Sequence, residues 1–363
     1  MNLTSPHPNR QNSRGYRSKV MKKTLDESGL LRVAELVLPR LPPSDLAAAA
    51  SSCKAFGREV ASISSRRASD ASRGVESHPI PFFNPTLDGQ PYSFFLYTRL
   101  PVLPSSSMPL SARPWGGVDQ PDKSRTLDDA SSMSAFASPI AGSESGCGCK
   151  DCSFGGELGI CPCLSPEEGA FLASGPGMEL MLECGANCSC GDECLNRSTQ
   201  RGVSVKLRIV KDEKKGWGLH AAQFIARGQF VCEYAGEFLT TEEARRRQRT
   251  YDELASAGKL SPALLVVREH LPSGKACLRV NIDATKVGNI ARFINHSCDG
   301  GNLLTVLVRS NGSLLPRLCF FAMKDILDGE ELAFSYGVSD HRRGLPCYCG
   351  SPSCVGRLPS EET

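Results

Sequence analysis

Cysteine is the residue type whose number and spacing point most directly to chemistry in this chain of 363 residues. There are 17 cysteines, and nine of them share one stretch: Cys147, Cys149, Cys152, Cys161, Cys163, Cys184, Cys188, Cys190 and Cys194. A structural zinc ion takes four thiolates in a tetrahedron. Nine sulfurs therefore complete two sites with one cysteine left over, or three sites if three sulfurs each bridge two ions. The C-x-C spacings favour the bridged solution, because thiolates one residue apart reach neighbouring ions more easily than a single ion.

A second cysteine set lies near the C-terminus and consists of Cys347, Cys349 and Cys354. Three thiolates leave a tetrahedral zinc one ligand short, and Cys298, in the polar stretch NHSCDGGN, is the best fourth ligand. Three further cysteines lie in apolar strand-like sequence, which is typical of buried cysteine: Cys232, Cys277 and Cys319. The sequence thus predicts four zinc ions, three in the first cluster and one in the second. The alternative for the first cluster is a small knot of disulfide bonds. The alternative for the second is a redox site of three exposed cysteines.

The overall charge and hydropathy exclude several classes of function. Lys and Arg exceed Asp and Glu by 42 − 39 = +3, a balance too mild to argue for polyanion binding by the whole protein. No apolar run approaches the ~18 residues of a membrane span, and the start lacks the apolar core of a secretory signal. No membrane partner is therefore predicted.

Residues 1–27 are predicted to be a disordered basic arm, with six Lys or Arg and no Asp or Glu before position 25. A nuclear address, a nucleic-acid tether, an organellar transit peptide and a plain solvated tail all fit this composition.

The segment 28–60 is predicted to form two short helices. Apolar residues recur at helical spacing from Leu30 to Leu38, prolines then interrupt the run, and Ser44 or Asp45 can cap the second helix. The stretch resembles the start of an F-box, the helical module that docks to ubiquitin-ligase scaffolds. A plain helical hairpin is the alternative.

The rest of the chain divides by composition. Residues 61–145 are predicted to be a lead-in and a linker, because Ser, Pro and Gly occupy 20 of the 48 positions from 98 to 145. Residues 146–202 hold the cysteine array, 203–340 contain many short strand patterns, and 341–363 hold the second cysteine set and a tail.

The strand patterns favour a mainly β domain over a doubly wound sheet. In VSVKLRIVK, four apolar residues alternate onto one face: Val203, Val205, Leu207 and Ile209. Two pairs of apolar runs flank PSGK and Asn311-Gly312, which predicts two hairpins. Thr240 and Glu243 have the spacing of a capping box at the start of the one clear helix in this region.

Six motifs in order identify a family. After the cysteine array come GWGLHA (216–221), CEYAGE (232–237), RFINHSC (292–298), FSYG (334–337) and the C-terminal cysteines. Together they resemble the SET-domain histone-lysine methyltransferases of the suppressor-of-variegation class, most of all its plant suppressor-of-variegation-related subgroup. The resemblance covers about residues 78–363. It implies a SET fold of short curved sheets with a C-terminal pseudoknot, flanked by a three-zinc, nine-cysteine pre-SET segment and a post-SET segment.

The resemblance also implies the residues of the site. S-adenosylmethionine would be the methyl donor, contacted by Lys215, Gly216, Trp217, Gly218, Arg292, Asn295, His296 and Tyr336. Tyr336 would be the catalytic tyrosine, Tyr234 would line the lysine channel, and Phe334 would govern the number of methyl groups added. The substrate would be the histone H3 tail in the nucleosome, at lysine 9, with a di- or trimethyl product. A monomer acting on chromatin in the nucleus, in silencing, is expected.

Two positions depart from the family pattern. SPALLVV (261–267) stands where the family usually has a tyrosine, so Ala263 or Leu264 replaces a side chain that would contact cofactor and substrate amine. Ser335 replaces an acidic residue. These departures leave open a second function, that of a catalytically weak SET protein that recognises chromatin. A third hypothesis is a ubiquitin-ligase adaptor that acts through residues 28–60.

Overall fold

The structure is a computed structural model. It describes residues 27–102, 146–150, 152, 161, 163, 179–256, 260–270, 277–313, 315–337 and 344–359. The chain divides into two compact units, Met1–Ile63 and Ser64–Thr363. The predicted basic arm up to residue 26 and the Ser/Pro-rich linker from 103 lie outside the described residues. Among the described helices, none is long and apolar enough to cross a membrane.

Three helices form where the sequence predicts two: α1 (Glu27–Val37), α2 (Pro43–Ser52) and α3 (Lys54–Ser69). The third helix follows from Phe56, Val60 and Ile63, whose spacing of three to four residues places them on one face against a small apolar core. The predicted cap is also wrong. No side chain caps α2, because its N-cap residue is Pro42, which has no side-chain acceptor, and Ser44 and Asp45 already lie inside the helix.

The second unit is built from thirteen short strands and one long helix among its described residues. The strands are β1 (Phe82–Phe83), β2 (Leu96–Tyr97), β3 (Glu179–Glu183), β4 (Leu207–Asp212), β5 (Gly216–Ala221), β6 (Phe230–Glu233), β7 (Gly236–Leu239), β8 (Leu264–His270), β9 (Cys277–Gly288), β10 (Asn295–His296), β11 (Leu303–Ser310), β12 (Arg317–Ala322) and β13 (Ala333–Phe334). The helix is α4 (Thr241–Ser256). A 3₁₀ turn precedes it at Leu195–Arg201 and another follows it at Ile290–Phe293. The prediction of a mainly β domain is confirmed.

The strands form four small sheets, in the orders β1-β4-β5, β10-β13, β3-β11-β12-β6 and β2-β9-β7, with β8 added on β9. Both predicted hairpins are present, since β8 pairs antiparallel with β9 and β11 with β12. The four alternating residues from Val203 to Ile209 are all buried, as their period of two predicts.

The capping box at α4 is half formed. The Thr240 hydroxyl accepts a hydrogen bond from the Glu243 backbone N–H at 3.2 Å. The Glu243 carboxylate instead binds Arg246 and Arg247, one turn further along the helix. Two guanidinium groups at these spacings attract the carboxylate more strongly than the backbone amide of Thr240 does.

Strand β13 brings the C-terminal motif against the middle of the chain. It pairs in parallel with β10, so that Asn295 lies opposite Ala333 and His296 opposite Phe334. The Asn302 N–H then donates to the Ala333 carbonyl from the other side. Residues 333–334 are therefore held between two segments of the same loop, and the residues that follow them are placed beside His296.

Candidate active site and metal centres

Tyr336 is held in place by hydrogen bonds to Ile294 and His296. Its hydroxyl donates to the Ile294 carbonyl at 2.7 Å, and its backbone N–H donates to His296 Nδ1 at 3.1 Å. The two rings lie 5.2 Å apart between centroids. Burial, together with the negative charges of Glu331 and Cys347, raises the pKa of Tyr336, so its hydroxyl keeps its proton at neutral pH.

Tyr234 belongs to the same group of packed aromatic rings as Tyr336. Its hydroxyl donates to the Ala263 carbonyl at 2.9 Å, and burial raises its pKa. The Phe320 ring lies 6.4 Å from Tyr234 and 4.9 Å from Phe334, which in turn lies 4.9 Å from Tyr336. Phe320 therefore connects Tyr234 to Phe334 and Tyr336, the three aromatic residues predicted from the sequence. The sequence indicated Phe320 only as part of an apolar strand.

Ala263 contacts this aromatic group through its backbone, which binds the Tyr234 hydroxyl. Its carbonyl holds Tyr234, and its N–H donates to the Thr285 hydroxyl at 2.9 Å. Ala263, one of the two residues that could stand in place of the family's tyrosine, is therefore tied to β9 and fixes the orientation of Tyr234.

The carboxylate of Glu331 connects Lys215, just before the GWG motif, to Asn295 of the Asn-His motif. Lys215 Nζ lies 2.6 Å from Glu331 Oε2, and Asn295 Nδ2 donates to Glu331 Oε1 at 2.8 Å. Gly216 adopts a φ of 78°, a left-handed conformation that glycine takes without strain. The sequence analysis did not single out Glu331, and no spacing rule would have paired it with Lys215, which lies 116 positions earlier.

Trp217 packs against the lead-in segment. The ring of Phe82, in β1, meets it edge-on at 5.1 Å, and the Lys211 ammonium lies 5.3 Å from its ring centre. The N-terminal lead-in is therefore part of the support for this loop, since β1 also pairs with β4.

Arg292 binds backbone carbonyls. Its Nε donates to the Ala284 carbonyl at 2.9 Å and its Nη2 to the Thr285 carbonyl at 3.2 Å. Its guanidinium also lies over the rings of Phe95 and Phe293. Desolvation lowers its pKa to about 10. These contacts anchor β9, and the cofactor contact expected of Arg292 stays a prediction.

The C-terminal cysteines form a four-sulfur group with Cys298, as the sequence predicts. The Sγ atoms of Cys298, Cys347, Cys349 and Cys354 all lie within 4.8 Å of one another. This donor set fits a tetrahedral zinc ion. His296 Nε2 lies 3.2 Å from Cys298 Sγ. Because Nδ1 accepts from the Tyr336 N–H, we assign the ring proton to Nε2, facing the sulfur. One histidine therefore links the cysteine group to Tyr336.

The nine-cysteine array also brings its sulfurs together. Three overlapping groups of four have their Sγ atoms within 4.8 Å: Cys147, Cys161, Cys163 and Cys184; Cys147, Cys149, Cys152 and Cys161; Cys147, Cys152, Cys184 and Cys190. All nine cysteines of the array are free of disulfide bonds. Sharing of sulfurs between groups fits a cluster with bridging thiolates better than two separate sites.

Three side chains donate N–H groups to these sulfurs. Asn311 reaches Cys163 at 3.0 Å, Asn196 reaches Cys184 at 3.4 Å, and Arg197 Nη2 reaches Cys190 at 3.7 Å. Such donors stabilise negative charge on sulfur, as buried metal thiolates require. The array can therefore hold zinc, and the role of the metal there is structural.

Comparison with known proteins agrees with this geometry. The SET domain family matches residues 216–337. The histone-lysine N-methyltransferase SUVR3 of Arabidopsis thaliana is 53% identical over 341 residues, which span 92% of this chain and 92% of that protein. The methyltransferase domain of human SETMAR has the same fold, with a TM-score of 0.57 and 31% identity, covering 80% of this chain and 97% of that one.

A third relative was solved with ligands. KRYPTONITE, in complex with mCHH DNA, an H3(1–15) peptide and SAH, gives a TM-score of 0.54 at 25% identity, covering 80% of this chain and 53% of that one. The fold and the matched segment define a SET-domain protein. The chain belongs to the SET-domain histone-lysine N-methyltransferases, enzymes that use S-adenosylmethionine.

Proposed function

We propose that this protein methylates lysine 9 of histone H3 in chromatin, in the nucleus, giving a di- or trimethylated product that serves silencing. The observation that carries the proposal is the aromatic group of Tyr234, Phe334 and Tyr336, closed by Phe320 and set directly beside Asn295 and His296. The H3(1–15) peptide held by KRYPTONITE spans lysine 9, which supports this choice of target. A monomer is sufficient, because all of these residues come from one chain.

The aromatic walls prepare the substrate amine. A lysine amine is a nucleophile only when neutral, and its usual pKa is ~10.4. A channel lined by Tyr234, Phe334 and Tyr336 disfavours the ammonium form by desolvation. It also aligns the amine for in-line attack, which is a proximity effect.

We propose that Lys215, Gly216, Trp217, Gly218, Asn295 and His296 bind the cofactor beside this channel. When bound, S-adenosylmethionine supplies an electrophilic methyl group on a sulfonium. The Tyr336 hydroxyl donates its hydrogen bond to the Ile294 carbonyl, so its oxygen lone pairs remain free to accept C–H···O contacts from the methyl group.

The test is methyl transfer from labelled S-adenosylmethionine to recombinant nucleosomes. We expect label on H3 and its loss when lysine 9 of H3 is replaced by arginine. Equal labelling of both nucleosomes would refute the choice of target. Absence of any labelling, with cofactor binding retained, would favour a catalytically weak chromatin-binding protein.

Phe334→Tyr is expected to shift the product toward monomethyl-lysine at similar total turnover. Phe334 is buried between Phe320 and Tyr336 and offers no polar atom. A tyrosine hydroxyl there would anchor a water molecule in the space that a methylated amine needs. Mass spectrometry of an H3 peptide measures the product, and Phe83→Tyr, on an exposed ring of β1, is the control. A wild type that stops at monomethyl-lysine with excess enzyme would contradict the assignment.

A second function is favoured by the first compact unit. Its core leaves Val33, Leu36 and Val37 of α1 exposed, with Leu36 72% accessible. We propose this surface as the contact for a ubiquitin-ligase scaffold. Full-length protein should retain the scaffold in a pull-down and Leu36→Asp should not. Equal retention by both, or none by the wild type, would exclude this role.

A further inference from the structure

Glu331 lies at the centre of the residues proposed to bind the cofactor. Its two carboxylate oxygens bind different segments: Oε2 pairs with the Lys215 ammonium at 2.6 Å, and Oε1 accepts from the Asn295 carboxamide at 2.8 Å. The side chains of Lys215 and Glu331 are about three-quarters buried, at 25% and 24% exposure. A pair shielded to this degree interacts more strongly than one on the open surface.

The backbone around Glu331 is fixed on both sides. The Leu332 N–H donates to the Leu219 carbonyl at 2.7 Å, and the Glu330 carbonyl accepts from the Ala221 N–H at 2.9 Å. Glu331 itself is bridged to His220. The carboxylate therefore projects from a backbone position that is fixed beside β5.

Gly218 gives independent support for this arrangement. A Cβ atom at this position would lie 2.9 Å from Glu331 Oε1 and 3.0 Å from Asn295 Nδ2. The first distance is shorter than real Cβ contacts, and the second is tighter than nine in ten of them, so a side chain here would push these two side-chain ends away. Since Gly218 has an ordinary φ, its lack of a side chain serves to admit the hydrogen bond between Glu331 and Asn295.

We propose that Glu331 is a positioning residue of the cofactor site, one that holds Lys215 and Asn295 in register so that two distant segments bind the cofactor as a unit. The inference rests on the cofactor roles proposed above. With Nδ2 of Asn295 bound to Glu331, the carboxamide oxygen is left to accept from the ligand. With one N–H of Lys215 used, two remain for an anionic group such as the cofactor's carboxylate.

The test compares Glu331→Gln with Asp328→Asn in the full-length, zinc-loaded protein. Glutamine keeps an acceptor for Asn295 and removes the ion pair with Lys215. Asp328, in the same turn, loses only a long contact of 3.6 Å with Arg208 on the exposed surface. We expect Glu331→Gln to raise the KM for S-adenosylmethionine and the calorimetric Kd for SAH about tenfold, the size expected of a charged hydrogen bond. The kcat and the KM for peptide should stay within twofold of wild type.

A double-mutant cycle tests whether Glu331 affects cofactor binding through Lys215. If Glu331 acts through Lys215, the double variant Lys215→Met/Glu331→Gln should bind SAH no more weakly than the weaker single variant. Gly218→Ala should also weaken SAH binding. Cofactor KM values equal to those of Asp328→Asn, or a loss confined to kcat, would overturn the positioning role. A wild type that does not bind SAH at all would instead refute the proposed cofactor site.

Discussion

Tyr336→Phe is expected to leave zinc content unchanged, to lower the free energy of unfolding by about 1–2 kcal/mol, the cost of one buried hydrogen bond, and to reduce turnover about 100-fold or more. The change removes one hydroxyl and no packing volume, and losses of this size follow deletion of a preorganised transition-state contact. The hydroxyl is held on the Ile294 carbonyl at 2.7 Å, so its oxygen has a single orientation that phenylalanine cannot reproduce. Single-turnover transfer from labelled cofactor to an H3 peptide measures the chemical step separately from binding.

Tyr251→Phe is the matched control for this prediction. Its hydroxyl is also buried and donates to the Asp283 carboxylate at 2.8 Å, between α4 and β9. Its loss should lower the free energy of unfolding by about 1–2 kcal/mol and leave turnover within a few-fold of wild type. If Tyr336→Phe retained more than about half of the activity, Tyr336 would not be the catalytic tyrosine.

Removal of zinc is expected to unfold the cysteine segments and abolish activity. Four ions per chain are expected, and each structural zinc site contributes ~10–16 kcal/mol of folding free energy in small peptides. The sulfurs of the array are almost all buried, so without ions these thiols would be enclosed with little else to hold the segment together. Elemental analysis should find about four zinc ions. Two or fewer in fully active protein would refute the assignment.

Serine variants separate the cysteines by role. Cys147 belongs to all three overlapping groups, so Cys147→Ser should lose at least one zinc ion and lower the unfolding temperature sharply. Cys298→Ser should lose one ion and reduce activity more than stability, because Cys298 contacts His296, which holds Tyr336. Cys53 is exposed, and Cys53→Ser should change neither property. Loss of zinc from Cys53→Ser would contradict this division.

Much of the site could be predicted because its chemistry is encoded in residue types at short spacing. Thiolates in C-x-C repeats indicate a zinc cluster in any fold, and Cys298 follows as the polar-loop cysteine that completes the C-terminal set. Alternation from Val203 to Ile209 predicts burial of one face because a strand turns each successive side chain to the opposite side. The third helix was missed because its apolar residues are spread through a polar, serine-rich sequence.

By itself, then, the sequence indicated the cysteine clusters that could hold zinc, the mainly β architecture and the order of the motifs, since each depends on local pattern. The tertiary structure alone decided that Glu331 lies between Lys215 and Asn295, that Phe320 joins Tyr234 to Phe334, and that Ala263 holds a tyrosine through its carbonyl. The physical reason is that β13 pairs with β10 on one side and is hydrogen-bonded on the other side by Asn302, in the loop that follows β10. Such pairing depends on how whole sheets pack, and no period or spacing along the chain records it.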